Sequence, residues 1–356
     1  MLNHASFKEW SEAFAGLLLG TAVGDALGLP VEGLSRRRIH RWHGGEWRHR
    51  FALGRGMTSD DTDHAFLVAQ ALLQHPDDPE QFQRCLAWKL KFWLASLPAG
   101  VGLATLKSIL KLWLGFPPHK SGVFSAGNGP AMRSAILGAF FAGRPDQLGP
   151  FVRVCTRLTH TDPRAEQAAL AIAQAAAWIV THQRSIAGLL DWLCQQDVDP
   201  EWRVILERMA TALQAGRPTP DFAAELGLKK GVTGYCYHTV AVALFACLRH
   251  PDDFRRSLEG ALDCGGDTDT VGAILGALAG LIHGPQGIPQ EWINGLIEWP
   301  RTPVLLERLA GRLAAHQAGG EKPGPVSYFW PGLILRNLVF LVLVLGHGFR
   351  RLAPPY

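Results

Sequence analysis

Two-residue alternation of apolar and polar positions, the mark of a half-buried strand, is scarce along this chain. Apolar runs rich in Ala and Leu recur with helical spacing instead: Phe66 to Leu73, Ala131 to Phe141, Arg164 to Val180, Val204 to Leu213, Thr239 to Leu248 and Val271 to Ile282. Asp162-Pro163 before Arg164 is a helix start, with Asp as cap and Pro at the first helical position. Gly272, Gly276 and Gly280 stand four residues apart on one predicted helix, a stripe that permits close packing against a neighbour and by itself implies no chemistry. The pattern predicts an all-α globule over residues 8–316, with no clear internal repeat.

Gln317 to Pro325 carries Gly319-Gly320, Pro323, Gly324 and Pro325, so residues 317–327 read as a linker. Residues 328–356 differ from what precedes them. They contain the unbroken run Leu338 to Leu345, too short to span a bilayer, which needs about 20 apolar residues. The expectation is a C-terminal apolar helix outside the catalytic cleft, docked on the main domain or on a second copy of the chain. Peripheral attachment to a membrane surface, helped by Arg350 and Arg351, is the alternative.

The chain has 356 residues, of which 47% are hydrophobic and 19% charged, which excludes intrinsic disorder and leaves ample apolar surface for a core. The net charge is +4, and Lys and Arg are scattered apart from Arg36-Arg37-Arg38 and Arg350-Arg351, so the concentrated basic face of a nucleic-acid binder is not evident. A mild positive balance is compatible with a phosphate-bearing substrate. Six cysteines without CxxC spacing, and an early apolar stretch with no convincing cleavage site, predict free thiols in a reducing cytoplasm.

Two short acidic clusters carry the strongest chemical signal: Ser59-Asp60-Asp61-Thr62 and Asp267-Thr268-Asp269-Thr270. Each ends an irregular, Gly-containing stretch and leads into an apolar run, so each reads as a loop entering a helix. Helix capping explains one such residue per helix start. It does not explain four polar residues in a row, twice. Alternating carboxylates and hydroxyls suit hard divalent cations, and four aspartates carry about the charge that two Mg²⁺ ions neutralise.

Four further segments have the character of ligand loops. Gly16 to Gly33 places Glu32 in a Pro/Gly-rich turn after a tightly packing helix; alone, Glu32 is a surface residue. Ser125-Ala126-Gly127-Asn128-Gly129-Pro130 precedes a predicted helix, and its small residues expose N–H groups that suit a phosphate at a helix start. Thr159-His160-Thr161-Asp162 sets an imidazole beside another helix start, although a lone His is usually structural. Gly234-Tyr235-Cys236-Tyr237-His238 offers aromatic faces for a nucleobase, although core packing is the commoner use of a Tyr.

In order, Gly24-Asp25-Ala26-Leu27-Gly28, Ser59-Asp60-Asp61-Thr62, Gly127-Asn128-Gly129 with Met132-Arg133, Thr159-His160 and Gly265-Gly266-Asp267-Thr268-Asp269-Thr270 resemble the ADP-ribosylglycohydrolase family, over roughly Phe14 to His283. The resemblance implies a compact all-α domain that hydrolyses the N- or O-glycosidic bond of an ADP-ribosylated protein or small molecule. It implies two Mg²⁺ ions, with Mn²⁺ as a substitute, held by Ser59, Asp60, Asp61, Asp267, Asp269 and Thr270. It further implies that Gly127, Asn128, Gly129 and His160 line the diphosphate or distal ribose and that Tyr235 or Tyr237 lies near the adenine. Part of the family carries an acid in an Asp-Ile-Gly loop; the corresponding stretch here, Pro98-Ala99-Gly100-Val101-Gly102, has none. Other members use a glutamate where Glu32 lies, so the acid/base role falls to Glu32. A non-catalytic ADP-ribose-binding relative and a membrane-attached signalling component are the competing readings. The retained acidic set and Glu32 favour the enzyme.

Overall fold

The computed structural model describes residues 6–319 and 323–351. The linker positions 320–322 and the tail positions 352–356 lie outside the described residues. Among the described residues there are seventeen α-helices and one two-stranded sheet. The predicted all-α class is the observed one. The early apolar stretch becomes α1 (Phe7–Gly28); the runs become α2 (Asp60–Gln74), α3 (Pro163–Thr181), a helix over Pro200–Gln214, α4 (Cys236–Arg249) and α5 (Thr268–Gly287); α6 (Pro303–Gln317) and α7 (Gly332–Arg350) follow.

The run Ala131 to Phe141 is the exception. It breaks into a single 3₁₀ turn, Ala131–Arg133, and a six-residue helix, Ala135–Phe140. The N–H groups of Ala131 and Met132 both donate to the Asn128 carbonyl, and the Ser134 N–H donates to the Ala131 carbonyl in the i+3 pattern of the 3₁₀ turn.

α1 is the axis of the fold. It opens with a capping box between Ser6 and Glu9, and every residue from Ala13 to Gly28 is buried. An α-helix that is apolar all round belongs in a core, and α1 lies against α5 and α6, most extensively against α5. The α1–α5 contact is backbone on backbone. A Cβ added at Gly16, Gly20, Gly24 or Gly28 would fall 2.1, 2.1, 1.9 and 2.3 Å from the carbonyl oxygens of Gly280, Gly276, Gly272 and Thr268. As the α1 number rises by four the α5 number falls by four, so the helices run antiparallel in fixed register. The C-terminal end of α1 therefore meets the N-terminal end of α5. There Thr268 Oγ1 donates to the Gly28 carbonyl at 2.8 Å, and β1 (Leu34–Ser35) pairs antiparallel with β2 (Gly265–Gly266). Gly265 and Gly266 have φ of +71° and +81°, and a Cβ at Gly266 would meet the Val232 oxygen at 2.0 Å, so neither position admits another residue without strain.

α7 is longer than the apolar run that announced it. At 19 residues, with a mean hydropathy of 1.8 over its most apolar window, it reaches the length and composition of a membrane span. Its inner side is nevertheless held to the globule. Asn337 Nδ2 donates to the Ser96 carbonyl at 2.8 Å and to its hydroxyl at 3.0 Å. Arg336 pairs with Glu298 and donates to the Thr58 carbonyl at 2.6 Å. His347 Nε2 meets the Phe51 carbonyl at 2.8 Å, and the Phe51 ring packs against both Phe340 and His347. Leu335, Leu338, Val342, Leu345 and Phe349 face outward.

The register can be tested by its steric cost. Gly24→Ala should lower the unfolding free energy by about 3 kcal/mol or more, beyond ordinary overpacking, because the obstacle is a main-chain carbonyl. Gly311→Ala in α6, where the added carbon meets open space, should gain about 0.5–1 kcal/mol. Urea unfolding of the two variants should give opposite signs; equal midpoints would contradict the close α1–α5 contact.

Candidate active site

The first acidic cluster sits at the start of α2. The Ser59 hydroxyl caps the helix, accepting from the Asp61 N–H at 3.3 Å, so capping accounts for one of its residues. The start of α2 is itself held by Asp25, fully buried in α1. The Asp25 carboxylate accepts from Ser59 N at 3.0 and 2.9 Å, from Thr62 N at 3.1 Å and from Thr62 Oγ1 at 2.5 Å. Ser59 and Thr62, the outer members of the motif, thus tie α2 to α1, and the carboxylates of Asp60 and Asp61 are left for other use. Asp63 turns away, to Trp93 Nε1 at 2.8 Å and to Arg301.

The second cluster starts α5. Asp267 occupies the cap position but makes no side-chain cap bond. Its Oδ2 accepts instead from Asn128 Nδ2 at 2.7 Å, and the same amide donates to Thr239 Oγ1 at 2.9 Å. Asn128 is therefore tied to the acidic cluster. The two motifs meet directly, since Thr270 Oγ1 donates to Asp61 Oδ2 at 3.3 Å across 209 residues of sequence. Ser59 Oγ reaches the same oxygen at 3.0 Å.

Glu32 is brought to this cluster by Gly33, whose N–H donates to the Gly266 carbonyl at 2.7 Å, and by the β1–β2 pairing. It is exposed at the rim of a cavity of about 330 Å³, in which it shares the lining with Ser59, Asp60, Asp267, Asp269 and Thr270. Gly127, Asn128, Gly129 and His160 line the same cavity.

The His160 ring lies on the Gly127–Gly129 loop. A Cβ at Gly127 would stand 3.0 Å from its Nε2, and one at Gly129 3.1 Å from its Cε1, so larger residues there would displace the ring. Behind it, Arg133 is buried and donates to Thr159 Oγ1 at 2.7 Å, and Thr159 Oγ1 meets His160 Nδ1 at 2.9 Å. The Thr159 hydroxyl thus links the Arg133 guanidinium to Nδ1 of the ring, and Nε2 faces the loop. Burial and the Arg133 charge push the His160 pKa down to about 3, so the ring is neutral.

The phosphate-loop expectation needs amendment in detail. Gly127 N–H already donates to Ser125 Oγ and Asn128 N–H to the Gly234 carbonyl, and a 3₁₀ turn follows where a helix was expected. Of the tyrosines, Tyr237 is fully buried against Trp202 and offers no face to a ligand. Tyr235 is half-buried; its backbone bridges to Gly127 and its hydroxyl donates to Glu201 at 2.9 Å.

So many carboxylates in one low-dielectric wall cannot all ionise at ordinary pKa values. Burial, followed by the charge of Asp25, pushes Asp60 up to about 8. Burial raises Asp25 to about 7 against the four hydrogen bonds that favour its charged form. Burial and the charges of Asp25, Asp60 and Asp267 drive Asp61 well above the usual range, and burial and the charges of Glu32, Asp267 and Asp61 do the same to Asp269. Glu32 is raised by desolvation and by Asp267, with Arg351 opposing.

The set suits a hard cation in one specific respect: Asp61 Oδ1 and Asp269 Oδ1 are buried without a protein partner, and buried polar atoms ordinarily have one. The donors are all oxygens, as such ions require. Among the described residues no three acidic or imidazole side chains close on one point; the hydroxyls of Ser59 and Thr270 stand beside Asp61 as further oxygens.

Three participants escaped the sequence reading. Asp25 and Arg133 stood inside recognised motifs, but nothing local gave them a role. The third is α7: Phe340 and Val344 line the cavity beside Leu29 and Ala99. The helix expected outside the cleft forms part of its wall, because Arg336 and Asn337 anchor it to Thr58 and Ser96, next to the site.

A model of the ADP-ribosylglycohydrolase family matches residues 7–322. A protein of Archaeoglobus fulgidus, itself uncharacterised, is 32% identical over 311 residues, covering 85% of this chain and 96% of the relative. The ADP-ribosyl-[dinitrogen reductase] glycohydrolase of Rhodospirillum rubrum is 29% identical over 296 residues, covering 79% and 89%. A solved structure described as an ADP-ribosylglycohydrolase-related protein complex superposes with a TM-score of 0.65 at 28% identity, covering 87% of this chain and 99% of that one.

The raised carboxylate pKa values have a stability consequence. Between the unfolded value near 4 and the folded values of about 7 and 8 for Asp25 and Asp60, the folded chain holds protons that the unfolded chain has released, so stability falls as pH rises. His64 and His160, buried neutral, act oppositely below about pH 6.5. In chelator-treated protein the melting temperature should therefore fall from pH 6.5 to 8.5, and less steeply in Asp60→Asn. A flat or rising profile in the unaltered chain would contradict the crowding.

Proposed function

The chain belongs to the ADP-ribosylglycohydrolase family and is a hydrolase of ADP-ribosyl glycosidic bonds; from that premise we propose that it releases ADP-ribose from an ADP-ribosylated protein or small molecule with the help of two Mg²⁺ ions, for which Mn²⁺ can substitute. The contact between Thr270 Oγ1 and Asp61 Oδ2 carries this reading, because it joins two oxygen-rich motifs in one cavity wall. Ser59, Asp60, Asp61, Asp267, Asp269 and Thr270 would hold the ions. When bound, the ions supply Lewis acidity toward the ribose hydroxyls and lower the pKa of a bound water.

The protein's own groups do the rest. Glu32, at the cavity rim, takes the proton of the attacking water. The water oxygen forms a bond to the anomeric carbon, the bond from that carbon to the acceptor breaks, and the proton passes to the acceptor atom. Asn128 orients the Asp267 carboxylate, and Asp25 fixes the backbone of Ser59 and Thr62. His160 Nε2 and the N–H of Gly129 face the diphosphate, and Tyr235, past the loop, is the aromatic face available to the adenine. Free thiols at all six cysteines and the anchored inner side of α7 support a cytoplasmic enzyme whose tail is docked rather than inserted.

Arginine-, serine- and glutamate-linked ADP-ribosyl substrates, incubated with Mg²⁺, should yield free ADP-ribose from at least one. A chelator should abolish release, and Mg²⁺ or Mn²⁺ should restore it. Glu32→Gln should lower turnover by about 10²–10⁴-fold and leave ADP-ribose affinity nearly unchanged. Full turnover in chelator would remove the ions from the reading. Near-normal turnover in Glu32→Gln would remove Glu32.

A further inference from the structure

The outer side of α7 has no part in the chemistry above. Leu335, Leu338, Val342, Leu345 and Phe349 recur at intervals of three and four, so they form one stripe along the helix, each between 47% and 71% exposed. Val339 and Leu341, also exposed, widen it. A contiguous apolar surface of this kind marks a contact with something else.

α7 does not carry that surface alone. The Trp330 ring, just before α7, meets Phe92 edge-on at 5.9 Å, and Phe92 meets Trp88 at 5.3 Å on the helix Pro79–Ala95. Lys91 Nζ lies over the rings of both Trp88 and Trp113, at 4.6 and 4.4 Å, which ties in the helix Leu103–Trp113. There Leu103, Lys107, Leu110 and Leu114 are all exposed, again at intervals of three and four. The charge of these elements has one sign. No Asp or Glu occurs between Glu80 and Asp146, nor after Glu321, so the two stretches that supply every residue just named hold none of the chain's 31 acids. Glu298 and Asp63, which reach this region from other elements, are paired with Arg336 and Arg301.

Two occupants suit an apolar helix face, a second copy of the chain and a lipid surface. A second copy seamed along the stripe would bring Val339, Leu341, Gly346 and Gly348 to the flanking positions where coiled coils carry the charged pairs that set partner and orientation. None of the four is charged, and the cations of one copy would meet those of the other. Lipid needs no matching pairs. Its headgroups supply the negative charge, and Trp with Lys or Arg at the edge of an apolar band is the composition that a membrane interface favours.

We propose that the outer stripe of α7, with the adjoining Trp–Lys face, is a peripheral membrane surface that takes anionic phospholipid. α7 lies along the bilayer and not across it, because Arg336, Asn337 and His347 keep its inner side on the globule. Leu103 belongs both to this surface and to the cavity lining, so the cleft adjoins the attached face.

The test is flotation of the full chain, with Mg²⁺ present, on vesicles of phosphatidylcholine alone and of phosphatidylcholine with phosphatidylglycerol. The chain should bind the anionic vesicles, bind the neutral ones severalfold more weakly, and be partly released near 1 M salt, where the screening length falls to about 3 Å. Leu338→Glu combined with Val342→Glu should reduce binding to background with the melting temperature unchanged, since both side chains point outward. Lys107→Glu should lower the partition coefficient about fivefold or more, the effect of one basic residue at an anionic surface. Arg208→Glu makes the same charge change at an exposed position on the helix Pro200–Gln214 and should alter it by less than about twofold. No binding to either vesicle, equal binding to both, binding unmoved in the Leu338/Val342 variant or in Lys107→Glu, or equal losses in Lys107→Glu and Arg208→Glu would each overturn the proposal. Retention through alkaline carbonate, the mark of a spanning helix, would do so too. A dimer indifferent to lipid that the Leu338/Val342 variant converts to monomer in sedimentation velocity would assign the face to a second copy instead.

Discussion

The backbone contact between α1 and α5 is the constraint on which the site depends. Four glycines on α1 face three glycines and Thr268 on α5, with main-chain carbonyls where side chains would otherwise stand. Helices at ordinary separation, 8–10 Å between axes, would leave room for the loops after α1 and before α5 to part. At glycine separation they cannot. Glu32 follows α1 by a few residues and Asp267 precedes α5 by one, so the same packing that buries the two helices forces these carboxylates into one wall. A glycine stripe costs helix propensity at each position, and dispersion between closely packed backbones offsets it collectively.

That wall is electrostatically unfavourable by itself. Burial and mutual repulsion push Asp25 and Asp60 to about 7 and 8, and two buried carboxylate oxygens lack partners. The surrounding network holds the arrangement against that pressure. Asp25 takes the free N–H groups at the start of α2, Asn128 holds Asp267, and the Gly33–Gly266 bond holds the Glu32 turn. These are the places where local rules of stability are broken, and a functional site is where such violations are expected. A bound divalent cation would convert the repulsion into attraction, which is the physical link between the strain of this wall and the proposed chemistry.

On the other side of the cleft the same logic runs through packing. His160 keeps its place because Gly127 and Gly129 have no side chains, and the Arg133–Thr159 hydrogen bonds behind it fix the ring's orientation. α7 adds the last wall from a segment beyond the family domain. Its inner face is bonded to residues that adjoin the acidic cluster, so a change in the tail reaches the cleft through one contact.

The sequence by itself determined the helical class, since the apolar spacing of α3, α4 and α5 needs no partner to be read. It also determined the chemical character of the two acidic motifs, because carboxylate and hydroxyl density is a local property. Asp162-Pro163 marked a helix start correctly for the same reason. The tertiary structure alone decided what those groups meet. Nothing local distinguishes Asp25, whose carboxylate caps a helix 34 residues onward, from any other acid in an apolar helix. Nothing local fixes Asn128, just ahead of the run at Ala131; it is held by Gly234 and Asp267 from far along the chain. The apolar tail announced that it must be covered, but not by what. Hydrophobicity has no direction, whereas the hydrogen bonds of Arg336 and Asn337 do, and those bonds set α7 against the cleft.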